Sequence, residues 1–185
     1  MKIAVVIPSR DMVHTDFAMS LTRMMMQPPV QCALINIKSA SIPGARFQGV
    51  KAAMKIEASH ILFIDSDMTF PATLMEDLIR HKKDVVGVTY YRREPPITLV
   101  GRKEKIEPFV DADLNTGLIP AYELGFGAIL INMQLFYESA PPWFLTTYEE
   151  GSGWTSEDEH FCHNHKVWCD TDLSTKMGHI GAITR

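Results

Sequence analysis

The chain has 185 residues with 46% hydrophobic content, enough apolar side chain for one buried core, and its length favours a single domain. Its net charge is −4 and its 18 Lys and Arg are scattered, which argues against a nucleic-acid surface and leaves small-molecule chemistry. Three cysteines, Cys32, Cys162 and Cys169, do not make a disulfide framework. No run approaches the ~20 apolar residues of a membrane helix, and IAVVIP is too short for a signal peptide, so a soluble, cytoplasmic protein with no transmembrane segment is expected.

The first half alternates strand and helix patterns. KIAVVIPSR (2–10) reads as a strand closed by Pro8, and Asp11 to Gln27 as a Met-rich helix stopped by Pro28 and Pro29. CALINI (32–37) is a second strand. From Pro43 to Ala58, Phe47, Val50 and Met54 recur at helical spacing, and the strand ILFID follows. Pro71 sits at a first-turn position, Leu74, Leu78 and Ile79 mark a short helix, and DVVGVTYY (84–91) is the next strand. This order is the signature of a three-layer α/β domain with a mostly parallel central sheet.

The second half is less regular. Residues 92–120 are rich in charge and proline and read as a surface excursion or edge hairpin. In the strand ELGFGAILIN (123–132), Gly125 and Gly127 allow a close approach to the backbone. The segment LTTYEEGSGW (145–154) reads as a mobile loop whose Tyr148 and Trp154 suit packing or ligand stacking equally. SEDE (156–159) fits a capping box, with Ser156 at the N-cap and Glu159 three residues on. On spacing alone, Glu157 and Asp158 are first-turn acids favoured by the helix dipole, and His179 is a structural histidine. His163 and His165 near Cys162 and Cys169 lack the paired-ligand spacing of a structural zinc site.

The densest chemical signal is ILFIDSDMTF (61–70), an apolar run ending in two aspartates one residue apart. Successive side chains of a buried strand point to opposite faces, so Asp65 and Asp67, two positions apart, are expected to project to the same side where the strand leaves the sheet. Two close carboxylates repel unless a cation or proton lies between them, which suggests a divalent metal with room for an anionic ligand. The plainer alternative is that Asp65 and Ser66 start a turn and cap the next helix.

The succession IAVVIPSR, IPGARFQGVKAA, ILFIDSDMTFP, DVVGVTYYRREPP, ELGFGAILI, SEDEHFC and MGHIG resembles the catalytic domain of glycosyltransferases with the GT-A fold, of the family 2-like type found in bacteria and their viruses. The resemblance implies a Rossmann-like three-layer sandwich in which 1–91 is the nucleotide-binding half and 92–185 the acceptor and catalytic half. It implies that Asp67 and His179 ligate a divalent metal, with Asp65 bound to it through water or near the donor ribose beside Ser66. Pro8, Ser9, Arg10 and Arg46 correspond to the nucleotide pocket, and Gly125, Phe126 and Gly127 to the segment facing donor sugar and acceptor. Asp158, with Glu157 beside it, corresponds to the acidic pair that supplies the catalytic base.

The implied reaction moves a sugar from a nucleoside-diphosphate sugar to an acceptor hydroxyl, with inversion. One imidazole among carboxylates favours Mn²⁺ over Mg²⁺. INIKSAS (35–41) departs from the resemblance, with Asn36 and Lys38 where many relatives carry an acidic residue that reads the base, and this leaves the nucleobase open. The chain also lacks an added acceptor domain, which leaves the acceptor open. Two other readings stand beside it. LFIDSDMT also fits the first motif of haloacid-dehalogenase-like phosphatases, though that family carries it on the first strand. A non-catalytic sugar-nucleotide binder would keep the same fold.

Overall fold

The computed structural model of the chain describes residues 1–150 and 153–181. In chain order its elements are β1 (Lys2–Ser9), α1 (Thr15–Met26), β2 (Gln31–Lys38), α2 (Ile42–Lys55), β3 (His60–Ile64), β4 (Met68–Thr69), α3 (Leu74–Arg80) and β5 (Val85–Gly87). The hairpin β6 (Arg102–Glu104) and β7 (Glu107–Pro108) comes next, then β8 (Leu118–Ala121), β9 (Ala128–Asn132), α4 (Gln134–Glu138), β10 (Thr147–Glu149) and β11 (Gly153–Thr155). The chain continues with α5 (Glu157–His163), β12 (Val167–Asp170), α6 (Thr171–Ser174) and β13 (Gly178–His179).

Seven strands form one sheet in the order β2-β1-β3-β9-β5-β12-β8. β2, β1, β3, β5 and β12 run one way, and β9 and β8 run the other. Alternation along the central strands sends side chains to two cores. Ala4, Val6, Ile61, Phe63, Ile129 and Ile131 face Val50 and Ala53 of α2 and Phe161 of α5. Ile3, Val5, Ile7, Leu62, Ile64 and Leu130 face Phe17 and Met24 of α1 and Leu74, Met75 and Leu78 of α3. Strands from both halves of the chain share this sheet, and the three-layer, mostly parallel α/β architecture is the one expected.

Several boundaries differ from the expectation for physical reasons. α1 starts at Thr15 because the His14 ring accepts from the Asp16 N–H as its cap. Pro71 lies in a turn before α3, with the Leu74 N–H donating to its carbonyl. Pairing in the 84–91 strand stops at Gly87, and the following backbone turns to other partners: Thr89 N–H donates to Ser174 Oγ and Val100 N–H to the Tyr90 carbonyl. The 92–120 excursion does form a hairpin, but it also supplies β8, an edge strand of the main sheet that tolerates Pro120 because an edge leaves one side of the strand unpaired. Segment 145–154 is not simply a loop, since β10 and β11 pair with Tyr148 opposite Trp154; Gly151 and Ser152 within it lie outside the described residues.

α5 sits on an aromatic cluster. Phe161 is 1% exposed and lies 5.5 Å from Phe126, 5.6 Å from Phe136 and 5.6 Å from Phe144, centre to centre. The capping box expected at its start is present: Ser156 Oγ accepts from Glu159 N–H, and the Glu159 carboxylate accepts from Ser156 N–H at 2.8 Å. Phe161→Ala should therefore cost about 3–5 kcal/mol in chemical denaturation, as expected for emptying a closed aromatic site under a seven-residue helix.

Candidate active site

The candidate residues gather at the carboxyl ends of β1 and β3, the position where open α/β sheets bind ligands. β3 ends at Ile64, and residues 65–67 form a turn closed by Met68 N–H donating to the Asp65 carbonyl at 3.2 Å. Strand alternation therefore does not set the directions of Asp65 and Asp67. The two carboxylates turn to different partners.

Asp65 turns toward Arg46. In α2, Arg46, Gly49, Val50 and Ala53 share the buried face at helical spacing, which carries a guanidinium 3% exposed into the domain. Its Nη2 donates to Asp65 Oδ1 at 3.3 Å and its Nη1 to Glu157 Oε1 at 2.8 Å, while its carbon lies 4.6 Å above the Phe126 ring. Arg46 Nε is buried with no hydrogen-bond partner among the described residues. Burial disfavours the guanidinium charge, but Asp65, Glu157 and Asp158 raise its pKa overall. Burial also pushes the Asp65 carboxyl up to about 6, with Arg46 opposing the shift and Asp67 adding to it.

Asp67 turns toward the far end of the chain. β13 pairs antiparallel with β4, His179 opposite Met68, and Ile180 N–H donates to the Asp67 carbonyl at 2.7 Å. This register brings His179 Nε2 within 3.3 Å of Asp67 Oδ2, and Arg93 Nη1 donates to the same oxygen at 3.1 Å. His179 Nδ1 lies 3.3 Å from the Tyr91 carbonyl. A carbonyl and a carboxylate both only accept, so both ring nitrogens donate, Nδ1–H to Tyr91 and Nε2–H to Asp67, and loss of the Nε2 proton would open its lone pair to a metal. The His179 hydrogen bond holds the Asp67 carboxyl below its ordinary pKa, and the same bond raises that of His179.

Asp158 Oδ1 accepts from Ser156 Oγ and from Glu159 N–H, leaving Oδ2 without a hydrogen-bond partner among the described residues. Glu157, by contrast, is committed to Arg46. Gly125 and Gly127 make room for protein rather than ligand: a Cβ on either would press into the buried Tyr90 side chain. They lie in the turn before β9 rather than in the strand, and Phe126 between them is fully buried. Ser9 Oγ donates to Asn36 Oδ1 at 2.6 Å at the end of β1, where Pro8 is buried. Arg10 is exposed and lines a shallow depression with Asp11, Lys38, Ser39 and Ala40. Ser66 lies in the turn.

The structure thus gathers Asp65, Arg46, Glu157 and Asp158 in one group and Asp67, His179 and Arg93 in another, separated by the 65–67 turn. Among the described residues, no three His, Cys, Asp or Glu side chains form a metal cage. The donor set still fits a hard divalent ion, which is commonly held by one or two protein ligands with waters and substrate phosphates completing the shell. Cys162 and Cys169 are buried and free, and burial pushes both thiols up to about 12, so they are poor zinc ligands. The DSD motif follows the third strand, unlike the first-strand placement of the phosphatase motif. Sequence reasoning missed Tyr90 and Arg93; the only local signal for Arg93 was the Arg92-Arg93 pair after a strand.

No family model matches the chain, and no curated protein matches it by sequence. Among solved structures it is similar to A197 from STIV, at 15% identity and TM-score 0.62 over 100% of this chain and 99% of that one. It is similar to GalNAc-T7, crystallised with UDP, GalNAc and Mn²⁺, at 12% identity and TM-score 0.61, over 98% of this chain and 45% of that one. It also resembles S. aureus TarS 1-349 at 14% identity and TM-score 0.55, over 93% and 58% of the two chains. The chain therefore spans 45% to 58% of the length of these last two. The shared feature is the fold, the GT-A-like α/β sandwich of glycosyltransferases.

Arg46→Met should cost about 3–5 kcal/mol in urea unfolding, because it strands Asp65 and Glu157 together without their cation. The Asp67–His179 pair carries a pH signature. A lowered carboxyl pKa stabilises the fold above the ordinary carboxylate value and loses that effect as pH falls through the lowered one; a raised imidazole pKa stabilises below the ordinary imidazole value and loses the effect as pH rises through the raised one. Their shared window is about pH 4 to 6.5. In EDTA, Asp67→Asn should cost a few tenths to ~1 kcal/mol at pH 5.5 and less at pH 8.5, as measured by paired urea melts.

Proposed function

We propose that the chain is a metal-dependent glycosyltransferase that moves a sugar from a nucleoside-diphosphate sugar to an acceptor hydroxyl. The observation that carries this reading is the meeting of Asp67 and His179, 112 positions apart, beside an acidic helix start tied to Asp65 through Arg46. The fold shared with TarS and with GalNAc-T7, the latter crystallised with UDP and Mn²⁺, supports a nucleotide-sugar donor and a divalent metal. In this reading residues 1–91 bind the nucleotide and 92–185 complete the acceptor side.

Asp67 and His179 would hold the metal, with Asp65 supporting it through water or holding the donor ribose. The bound ion, Mn²⁺ before Mg²⁺ on the strength of the imidazole, supplies Lewis-acid stabilisation of the diphosphate leaving group. Pro8, Ser9, Arg10 and Ser66 border the nucleotide, and Gly125–Gly127 act from behind the sugar side by letting Tyr90 pack against them. Arg46 acts from beneath, holding Asp65 and Glu157 in place rather than touching the donor.

Asp158 Oδ2 takes the proton of the acceptor hydroxyl as its oxygen attacks the anomeric carbon. The bond from that carbon to phosphate oxygen breaks, and the nucleoside diphosphate leaves with the electron pair. Attack from the face opposite the leaving group inverts the anomeric centre through an oxocarbenium-like state. Glu157, ion-paired to the buried Arg46 through Oε1, is the positioning member of the acidic pair.

Two measurements test this reading. UDP or GDP at a hundred times its dissociation constant, with Mn²⁺, should stabilise the fold by ~2.7 kcal/mol and raise the melting temperature by several degrees. Equal shifts in EDTA would sink the metal-bridged site. Once an acceptor is identified, Asp158→Asn should lower transfer by ~10²–10⁴ while leaving nucleotide binding intact. Transfer by that variant near the wild-type rate would remove Asp158 from the mechanism, and Glu157→Gln should show chiefly a loss of stability.

A further inference from the structure

Arg93 belongs to none of the roles assigned above, yet its guanidinium bonds the very carboxylate oxygen that faces His179. The residue stands at the start of a loop closed by the Tyr91–Leu99 bridge and by Arg92 N–H donating to the Thr98 carbonyl at 2.9 Å. Its Nη1 lies 3.1 Å from Asp67 Oδ2. Among the described residues the other carboxylate paired with it is Glu94, 3.9 Å from Nε and 84% exposed, a contact solvent screens almost completely. Arg93 itself is 52% exposed and Asp67 38%, so the ion pair is held at the mouth of the site rather than locked inside it. The Tyr91 carbonyl at the foot of the same loop faces His179 Nδ1, so this one loop touches both groups of the pair.

We propose that Arg93 is a resident counter-ion for Asp67 that changes partner during donor binding: it neutralises the carboxylate while the site is metal-free, yields Oδ2 to a divalent cation, and then pairs with the diphosphate of the donor. The proposal rests on the glycosyltransferase reading of the site. A divalent ion on Oδ2 would face the Arg93 guanidinium across a single oxygen, and the repulsion between them favours release of Arg93 when the ion is held there. An arginine released at that point has a planar fork of N–H donors suited to a phosphate oxygen pair, and the arriving diphosphate restores the charge balance that the ion upset. Arg93 thereby opposes binding of the metal alone and favours binding of metal together with nucleotide, coupling the two ligands.

This makes a test with two opposite signs. Titration of the intact chain with Mn²⁺ alone, followed by the paramagnetic signal of the free ion, should show Arg93→Ala binding about two- to fivefold more tightly than wild type, the range that loss of a half-exposed ion pair allows. In saturating Mn²⁺, the same variant should bind both UDP and GDP about tenfold or more weakly, the loss expected for a charge-assisted contact to phosphate, and to the same degree for both bases. Arg93→Lys keeps the charge without the fork, and should restore wild-type Mn²⁺ affinity while recovering only part of the diphosphate affinity. Arg93→Ala changes in the same direction for both ligands, or no change in either, would overturn the role of Arg93. Failure of the wild-type chain to take up Mn²⁺ at all, with or without nucleotide, would instead overturn the metal site on which the role depends.

Discussion

One buried guanidinium organises the site. Arg46 reaches from α2 to the turn after β3 and to the first residue of α5, three segments that no backbone pairing joins. Without a cation there, Asp65 and Glu157 would share a poorly hydrated space with Asp158 nearby, and their mutual repulsion would separate helix from turn. A buried pair of this kind contributes little net stability compared with a well-packed apolar contact, because desolvation offsets most of the attraction. Its effect is positional. It fixes where α5 starts relative to the turn, engages Glu157, and leaves Asp158 as the acidic neighbour whose Oδ2 has no hydrogen-bond partner among the described residues.

The second half of the site is set by main-chain geometry. β4 and β13 are two residues each, but their pairing and the Ile180-to-Asp67 bond fix the backbone of Asp67 against that of His179. Side-chain substitutions at either position leave those bonds in place, so the site separates into a part built by charge and a part built by register. The two respond to different perturbations: the buried Arg46 group is little screened by salt, whereas the more exposed Asp67–His179 pair responds to salt and pH, and chain breaks near residue 178 would undo the register that holds it.

Much of this was legible in local sequence. The strand and helix order followed from apolar periodicity, and the SEDE capping box was read correctly from four residues because a capping box is closed within one turn. Arg46 entered through the resemblance alone: the stripe read for α2 was Phe47, Val50 and Met54, and the burial of Arg46 beside Val50 and Ala53, like its two partners 19 and 111 positions away, did not follow from it. What escaped local reading depends on distant chain. β8 hides in a proline-containing, charge-flanked stretch and exists because β12 offers it an edge. Gly125 and Gly127 suggested space for a ligand, whereas the space is filled by Tyr90, a residue on another segment. Asp67 and His179 lie 112 positions apart, and on spacing alone His179 read as structural; only the family resemblance linked the two.

The strand order also constrains how the chain acquires its structure. β9 lies between β3 and β5, so that His60 pairs with Asn132 and Val85 with Ile131. During synthesis, β1, β2 and β3 can associate as soon as they emerge, but β3 must wait with an open apolar edge until residues 128–132 have left the ribosome. Closure of that gap depends on contacts far apart in sequence, which slows folding and leaves a sticky intermediate in the meantime. The same insertion means that a fragment ending near residue 91 has no neighbour for β3 on one side, so the two halves of the chain are committed to a single cooperative unit even though they are drawn from separate stretches.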